Sequence, residues 1–166
     1  MRTVSAMCDN HGMQHPADSR PILFLDVDGV LLVAQSVQLS SGTWSPEVGF
    51  VPDAAALLAR LATAFDIHWA TRWGDSANVQ LSPELGLARL PVVELSGAPT
   101  QWTKLPAIRE ATGSRAAAWI DDDLAHDAWQ WAENRREPTL LVQTDMTQGM
   151  TERDVEALLA FAASLA

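Results

Sequence analysis

Short runs of consecutive apolar residues alternate along this chain with longer segments in which apolar residues recur every three or four positions. The short runs are typical of strands buried on both faces, and the longer segments are typical of amphipathic helices. Strands are predicted at residues 22–25, 67–71, 91–95, 116–120 and 138–144. Because strands and helices alternate, the pattern predicts a three-layer α/β domain around a mainly parallel sheet.

Helices are predicted between these strands and at the end of the chain. They begin near residues 53, 75, 104, 123 and 151. The second is short and spans residues 75–81, and Pro106 and Gly113 mark the start and the end of the third. Three of these helices are preceded by residues suited to N-caps. Asp53 is expected to cap the first helix, and Asp122 or Asp123 the fourth. Thr151 is expected to cap the last helix, where Asp154 completes a capping box. Because short crossover helices require parallel strands, the carboxyl ends of the strands are expected to meet at one edge of the sheet.

Two polar segments lie outside this alternation. Residues 1–20 are predicted to form a flexible tail, and residues 21–166 a single domain. Residues 29–52 are rich in serine, glycine and proline, which predicts a flap or loop over the sheet edge, with Trp44 packing beneath it.

Composition and charge narrow the functions of such a domain. A single cysteine, Cys8, excludes an internal disulfide framework and a cysteine-rich zinc site, and it fits a reducing compartment. No apolar run approaches the ~18 residues of a membrane span, and the first residues lack the apolar core of a signal peptide. We therefore expect a cytoplasmic protein, and a monomer. A formal net charge of −10 excludes a broad nucleic-acid-binding surface, which would need clustered lysine and arginine.

Two carboxylates and a glycine follow the first predicted strand. Asp26 comes directly after the apolar run, Asp28 follows two residues later, and Gly29 is next. Open α/β sheets bind ligands at this edge, and glycine allows a sharp turn and a close approach of the backbone to a ligand. A plain strand-end turn uses the same residue types. An EF-hand loop needs its glycine at the sixth position, whereas Gly29 is the fourth from Asp26, so calcium is not predicted.

Two later positions supply groups suited to a phosphate. Thr71 ends the second predicted strand, and its hydroxyl is able to bond a phosphate oxygen, although a β-branched residue also fits a strand for packing alone. Lys104 is the only lysine in the chain and lies at a predicted helix start, where a cation opposes the helix dipole. That conflict disappears if Lys104 faces an anion. The alternative is an exposed lysine that tolerates a small penalty.

Three successive carboxylates, Asp121, Asp122 and Asp123, end the predicted strand at residues 116–120. They repel one another at a cleft unless a cation gathers them or a helix start accepts one. Magnesium takes hard oxygen ligands and is held by one or two carboxylates together with substrate phosphate, so Mg²⁺ is the predicted ion. These residues leave open whether Asp121 or Asp122 is the direct ligand.

In chain order, the strand-end groups resemble the motifs of the haloacid dehalogenase-like (HAD) superfamily of phosphotransferases, over roughly residues 20–165. The segment Leu-Asp-Val-Asp-Gly-Val-Leu at 25–31 is the most specific part. Residues 69–74, Trp-Ala-Thr-Arg-Trp-Gly, and 119–122, Trp-Ile-Asp-Asp, are similar to the HAD domains of Swiss Army Knife RNA repair proteins. The resemblance implies a Rossmann-like fold, magnesium dependence and phosphomonoester hydrolysis by a phosphatase, but no particular substrate.

Each group then has an expected role. Asp26 attacks phosphorus to form an aspartyl-phosphate, while Asp28 protonates the leaving oxygen and later accepts a proton from water. Thr71 and Lys104 stabilise the equatorial oxygens. The expected metal ligands and their support are Asp26, Asp121 and the Asp28 carbonyl, with Asp122 orienting the metal shell.

Two other classes of protein use similar residues. A response-regulator receiver also places Asp, Thr and Lys around magnesium, but its lysine comes last, whereas here Asp121 and Asp122 follow Lys104. A catalytically silent phosphate-binding module of the same fold remains the alternative.

The lengths between the motifs predict an open cleft. Superfamily members that close over small metabolites insert a cap domain, and residues 29–52 and 72–103 are too short to hold one. The expected substrate is therefore a phosphate on something large, such as a nucleic-acid end or a phosphoprotein. Arg72, by charge pairing, and Trp73, by stacking, are the predicted substrate-binding contacts, although packing explains Trp73 equally well.

Overall fold

The computed structural model describes residues 20–38, 40–95 and 103–166. The predicted tail, apart from Arg20, lies outside the described residues. The elements in chain order are β1 (Ile22–Leu25), β2 (Leu32–Gln38), β3 (Trp44–Phe50), α1 (Ala54–Ala64), β4 (Asp66–Trp69), α2 (Ser76–Gln80), α3 (Leu105–Thr112), β5 (Ala117–Asp121), α4 (His126–Asn134), β6 (Thr139–Gln143) and α5 (Glu152–Ala163).

Four strands form a parallel sheet in the order β4-β1-β5-β6. All four residues of β1 are buried, as expected for a central strand covered on both faces. The chain passes from β1 to β4 on one side and then returns across β1 to β5 on the other. Such a change of direction opens a crevice at the carboxyl ends of the strands, which is where α/β sheets bind ligands.

The two faces of the sheet are covered by different helices. Leu58 and Leu61 of α1 and Leu158 of α5 belong to the core on one face, whereas Ile108 of α3 and Ala128 of α4 belong to the core on the other. The predicted three-layer α/β architecture with a mainly parallel sheet is confirmed. None of the described helices combines the length and the apolar character needed to cross a membrane.

Most of the segment predicted as a flap or loop is paired in a β-hairpin, so the prediction of a loop was wrong for β2 and β3. Strand β2 pairs antiparallel with β3, from Leu32 opposite Phe50 to Gln38 opposite Trp44. Pairing between the two strands satisfies backbone groups that the serine- and proline-rich composition led us to assign to a loop. The Trp44 side chain, and with it the predicted packing, lies outside what the structure describes.

Three local predictions were also wrong. Residues 91–95 form only an isolated bridge from Val92 to Trp69, because Pro91 supplies no N–H for a longer ladder. Asp53 precedes α1 with a left-handed backbone and caps nothing with its side chain. Helix α4 begins after Ala125, so neither Asp122 nor Asp123 is its N-cap.

The remaining helix predictions hold. The capping box of Thr151 and Asp154 is present at the start of α5, so this prediction is confirmed. A short helix, α2, lies within the predicted residues 75–81, and α3 begins directly after Lys104.

Candidate active site

The parallel register brings two carboxylates together at the carboxyl end of the sheet. Leu25 pairs with Ile120, so Asp26 and Asp121 are the next residues on neighbouring strands. Both are buried, with 6% and 1% of the residue exposed. The expected meeting of strand ends at one edge is confirmed for this pair.

Lys104 connects the two buried carboxylates. Its Nζ lies 2.6 Å from Asp26 Oδ2 and 2.7 Å from Asp121 Oδ2. The side chain is 13% exposed and extends from the residue that precedes α3. Lys104 therefore faces anions, and the alternative of an exposed lysine is excluded.

Asp122 adds a third carboxylate, and the group as a whole suits a divalent cation. Asp26, Asp121 and Asp122 each offer one carboxylate oxygen, and these oxygens lie within 4.8 Å of one another. Hard anionic oxygens are the donors that Mg²⁺ prefers, and three carboxylates exceed the single positive charge of Lys104. The donor set thus fits the predicted ion, and both Asp121 and Asp122 are placed to contribute.

Burial dominates the electrostatics of this group. It raises the pKa of Asp26 from 3.8 to about 6; the Lys104 charge opposes the rise and the Asp121 charge adds to it. Burial and then the Asp121 charge raise the pKa of Asp122 as well. Burial alone would lower the pKa of Lys104, but the charges of Asp26 and Asp121 outweigh it, so that pKa is raised. One lysine therefore does not fully compensate the carboxylates that surround it.

Gly29 allows Asp122 to lie directly against the turn that follows β1. Gly29 has φ +67°, and a Cβ atom there would lie 2.5 Å from Asp122 Cγ. The turn is held from the other side by Thr144, whose hydroxyl donates to the Gly29 carbonyl at 2.8 Å. The sharp turn predicted at Gly29 is observed, and the group that lies against its backbone is a carboxylate of the chain itself. A close approach of this backbone to a ligand stays a prediction.

Asp28 differs from the buried carboxylates because it is exposed. Its Oδ2 accepts a hydrogen bond of 2.9 Å from the indole Nε1 of Trp73. Trp73 is half-buried and packs against the core on the α1 face. Packing of Trp73 is therefore observed, and its predicted contact with a leaving group stays a prediction.

A cavity of about 430 Å³ opens at this edge of the sheet. The predicted site residues that line it are Asp26, Asp28, Arg72, Lys104, Asp121 and Asp122. Arg72 is exposed at this cavity, whereas Thr71, 1% exposed, and Trp73 are not among its described lining residues. Thr71 follows Ala70, whose N–H donates to the Leu25 carbonyl at 2.9 Å, so Thr71 lies beside the end of β1.

Sequence reasoning missed two residues that hold the site in place. Trp119 donates its indole N–H to Asp121 Oδ2 at 3.0 Å. Side chains two apart on a strand share a face, so the spacing of Trp119 and Asp121 could have predicted this contact. The hydrogen bond from the Thr144 hydroxyl to the Gly29 carbonyl could not be predicted from the sequence, because the two residues lie far apart in the chain.

A profile of the family described as the HAD domain in Swiss Army Knife RNA repair proteins matches residues 22–155. A search of curated proteins finds no match.

Several solved structures are similar at low identity. One is 3-deoxy-D-manno-octulosonate 8-phosphate phosphatase from Moraxella catarrhalis, in complex with magnesium, phosphate and KDO (17% identity, 90% of this chain, 91% of that chain, TM-score 0.45). Another is a HAD superfamily (subfamily III A) hydrolase from Legionella pneumophila (16% identity, 90% and 85%, TM-score 0.45). A third is the RNA polymerase II CTD phosphatase Fcp1 of fission yeast, of which the match spans about half (17% identity, 89% and 51%, TM-score 0.42). Similarity of this degree says nothing about the substrate of this chain.

Proposed function

Because the chain belongs to the family of HAD domains found in Swiss Army Knife RNA repair proteins, we propose that it is a magnesium-dependent phosphomonoester hydrolase. The observation that carries the proposal is the buried cluster in which Lys104 lies within 2.7 Å of both Asp26 and Asp121 at the carboxyl end of the sheet. Burial raises the pKa of Asp26, and perturbed carboxylates in a cleft mark functional sites.

Asp26 is the nucleophile in the proposed reaction. One of its carboxylate oxygens forms a bond to phosphorus as the bond from phosphorus to the leaving oxygen breaks, which yields an aspartyl-phosphate and an alcohol. Asp28, which lines the same cavity, gives the leaving oxygen its proton. In the second half Asp28 takes a proton from water as that water attacks phosphorus and restores Asp26.

Two side chains stabilise the charge on the transferred phosphoryl group. Lys104 supplies a positive charge next to Asp26, and its Nζ exchanges part of its contact with the carboxylates for a phosphoryl oxygen. The hydroxyl of Thr71, beside the end of β1, donates to another.

The carboxylates of Asp26, Asp121 and Asp122 would hold the magnesium ion together with the backbone carbonyl of Asp28. When bound, Mg²⁺ supplies the positive charge that allows an anionic nucleophile and a phosphate to approach each other. Trp119 and the N–H of Asp123 fix the two oxygens of Asp121 for this purpose, at 3.0 and 3.1 Å.

The substrate class we propose is a phosphate at the end of a nucleic-acid strand. The RNA repair proteins that define the family support this class, as does the exposed Arg72 at the cavity, which is suited to pairing with the next phosphate. The net charge of −10 disfavours contact along the backbone, so the strand is held by its terminus.

A panel of phosphate esters tests both levels of the proposal. We expect hydrolysis of 4-nitrophenyl phosphate that requires Mg²⁺, is abolished by EDTA and is absent in Asp26→Asn. Among a 3′-phosphorylated oligonucleotide, a 5′-phosphorylated one, a phosphopeptide and mononucleotides, one of the oligonucleotides is expected to give the highest kcat/KM. A preference for mononucleotides would contradict the substrate class alone. Inactivity on every ester, with phosphate binding retained, would identify a catalytically silent binding module.

A further inference from the structure

The carboxyl group of Asp28 is held by a side chain that the reaction described above does not use. Trp73 Nε1 lies 2.9 Å from Asp28 Oδ2, across a sequence separation of 45 residues. We propose that Trp73 is a positioning residue that fixes the orientation of the Asp28 carboxyl group toward the leaving oxygen. The inference rests on the proposed function, because it assigns the means by which the acid and base of that reaction is oriented.

Asp28 lacks the burial that restricts the other carboxylates of the site. It is exposed, unlike Asp26 and Asp121, which are buried and each contact Lys104. An exposed carboxylate loses rotamer freedom only if a partner holds it. Proton transfer requires the acid within hydrogen-bond reach of the oxygen that it protonates. Rotamer freedom of the Asp28 side chain would therefore lower the rate of proton transfer.

Packing and backbone hydrogen bonds fix the position of Trp73, which supplies that partner. It is half-buried and packs against the core, and its carbonyl accepts from the Ser76 N–H at 3.0 Å. Its own backbone N–H donates to Thr71 Oγ1 at 3.4 Å. The position of the indole is therefore set by the turn after β4, which also carries Thr71.

The chemistry of the indole determines which oxygen of Asp28 it leaves available. An indole N–H donates and never accepts, so Oδ2 must act as the acceptor in this contact. When Asp28 is the acid, this contact favours the proton on Oδ1, because the carbonyl oxygen of a carboxylic acid is a better acceptor than its hydroxyl oxygen. That proton moves to the leaving oxygen as the bond from phosphorus breaks.

A series of leaving groups separates positioning from other roles of Trp73. kcat/KM reports the steps up to the first chemical transfer, in which a poor leaving group needs a proton and a good one does not. For Trp73→Phe we expect kcat/KM to fall about 10- to 100-fold on an alkyl phosphate and less than about threefold on 4-nitrophenyl phosphate. Asp28→Asn is expected to show the same trend with larger losses. Trp131→Phe, which keeps a ring beside Arg135, serves as the control. It is expected to leave kcat/KM unchanged for both esters.

The alternative role of Trp73 gives the opposite trend. If the indole stacked on the leaving group, Trp73→Phe would raise KM for aryl esters and spare the alkyl ester, which would overturn the inference. An equal loss on all esters would also overturn it, because that pattern indicates a structural role. Wild-type protein inactive on every ester would overturn the proposed function itself.

A second measurement does not depend on activity. In the NMR spectrum, the indole N–H resonance of Trp73 is assigned from its loss in Trp73→Phe. This resonance is expected to shift in Asp28→Ala, while that of Trp131 stays in place. An indole signal of Trp73 indifferent to Asp28→Ala would remove the hydrogen bond on which the inference stands.

Discussion

Both ends of the parallel sheet hold carboxylates next to cations, but the two groups are balanced differently. At the carboxyl end, Lys104 faces Asp26 and Asp121, and all three side chains are nearly buried. At the amino end, Asp66 Oδ2 accepts hydrogen bonds of 3.0 Å from both terminal nitrogens of Arg115, and the side chains are 31% and 25% exposed.

The pKa values of the two aspartates move in opposite directions as a result. Burial raises the pKa of Asp26, and one lysine shared with Asp121 does not offset it. Burial also acts on Asp66, but hydrogen bonds from Arg115 and His68 outweigh it and lower the pKa. The amino end is thus a complete ion pair that stabilises the fold, whereas the carboxyl end is an incomplete one that suits a further cation and a phosphate.

The largest difference between the ends is expected in activity. Asp26→Asn should lower kcat by at least about 10³-fold, because an amide is a poor nucleophile and metal ligand. Asp66→Asn, the same change at the other end, should leave kcat within about twofold of the wild type. Steady-state kinetics with saturating Mg²⁺ measures both, with circular dichroism as the check on folding. A comparable loss of kcat in both variants would mean that catalysis does not depend on the carboxyl end alone.

The next effect concerns the glycine that lets Asp122 approach the carboxyl end. In Gly29→Ala, a left-handed backbone acquires a Cβ that meets Asp122, so we expect Mg²⁺ affinity to fall about 10-fold or more. Gly86→Ala is the matched control, because Gly86 has a similar φ of +66° and its added methyl group would meet no described atom within 4 Å beyond its chain neighbours. Both variants carry the backbone strain of about 1–3 kcal/mol, but only the first should weaken the metal site. Calorimetric titration with Mg²⁺ separates the two contributions, and equal affinities would exclude the contact as the cause.

A smaller effect is expected on the stability of the metal-free protein. Because the pKa of Asp26 is higher folded than unfolded, the native state favours its neutral form, so its contribution to stability falls as pH rises from about 4 to about 6. In EDTA at pH 7, Asp26→Asn should therefore be more stable than the wild type, by about 1–3 kcal/mol. Urea unfolding at several pH values measures the difference, which should shrink toward pH 4. Saturating Mg²⁺ should reverse its sign, since the ion stabilises only the intact site.

The smallest effect belongs to the amino end. The lowered pKa of Asp66 contributes stability that is present above its ordinary value of 3.8 and lost as pH falls through the folded value. Since this pair is partly exposed and screened, Asp66→Asn should cost less than about 1 kcal/mol at pH 7. The cost, measured by urea unfolding, should vanish in strong acid and be insensitive to Mg²⁺. A cost that depended on Mg²⁺ would show that the two ends are coupled.

Local sequence patterns were sufficient to predict the strand ends and the helix start that position this site. The apolar runs that end at Asp26 and Asp121 predicted both strand ends, and parallel strands placed them at one edge. The helix start at Lys104 was predicted from Pro106 and Gly113, and its conflict with the helix dipole indicated a facing anion, which Asp26 and Asp121 supply. Family membership, and with it the HAD-like fold, is confirmed by the match over residues 22–155. A cytoplasmic, monomeric state and the roles of the individual site residues stay predictions.

Local patterns failed where the outcome depended on groups far apart in the chain. The hairpin of β2 and β3 was missed because antiparallel pairing, rather than apolar periodicity, satisfies its backbone. Asp122 or Asp123 was expected to cap α4, but α4 begins later. Asp122 instead lies against the turn at Gly29, which has no Cβ atom to exclude it.

The strand ends follow from apolar patterns a few residues long, and the charged residues that come after them are read directly from the sequence. Together they already implied a cluster of carboxylates with one lysine. The partner of each side chain depended instead on which distant atoms the packed core brings within about 3 Å. Trp73 reaches Asp28 because the strands that precede them, β4 and β1, are neighbours in the sheet, and Thr144 reaches Gly29 because β6 is the strand next to β5. A hydrogen bond forms over a range of tenths of an ångström, and no spacing along a chain specifies that distance.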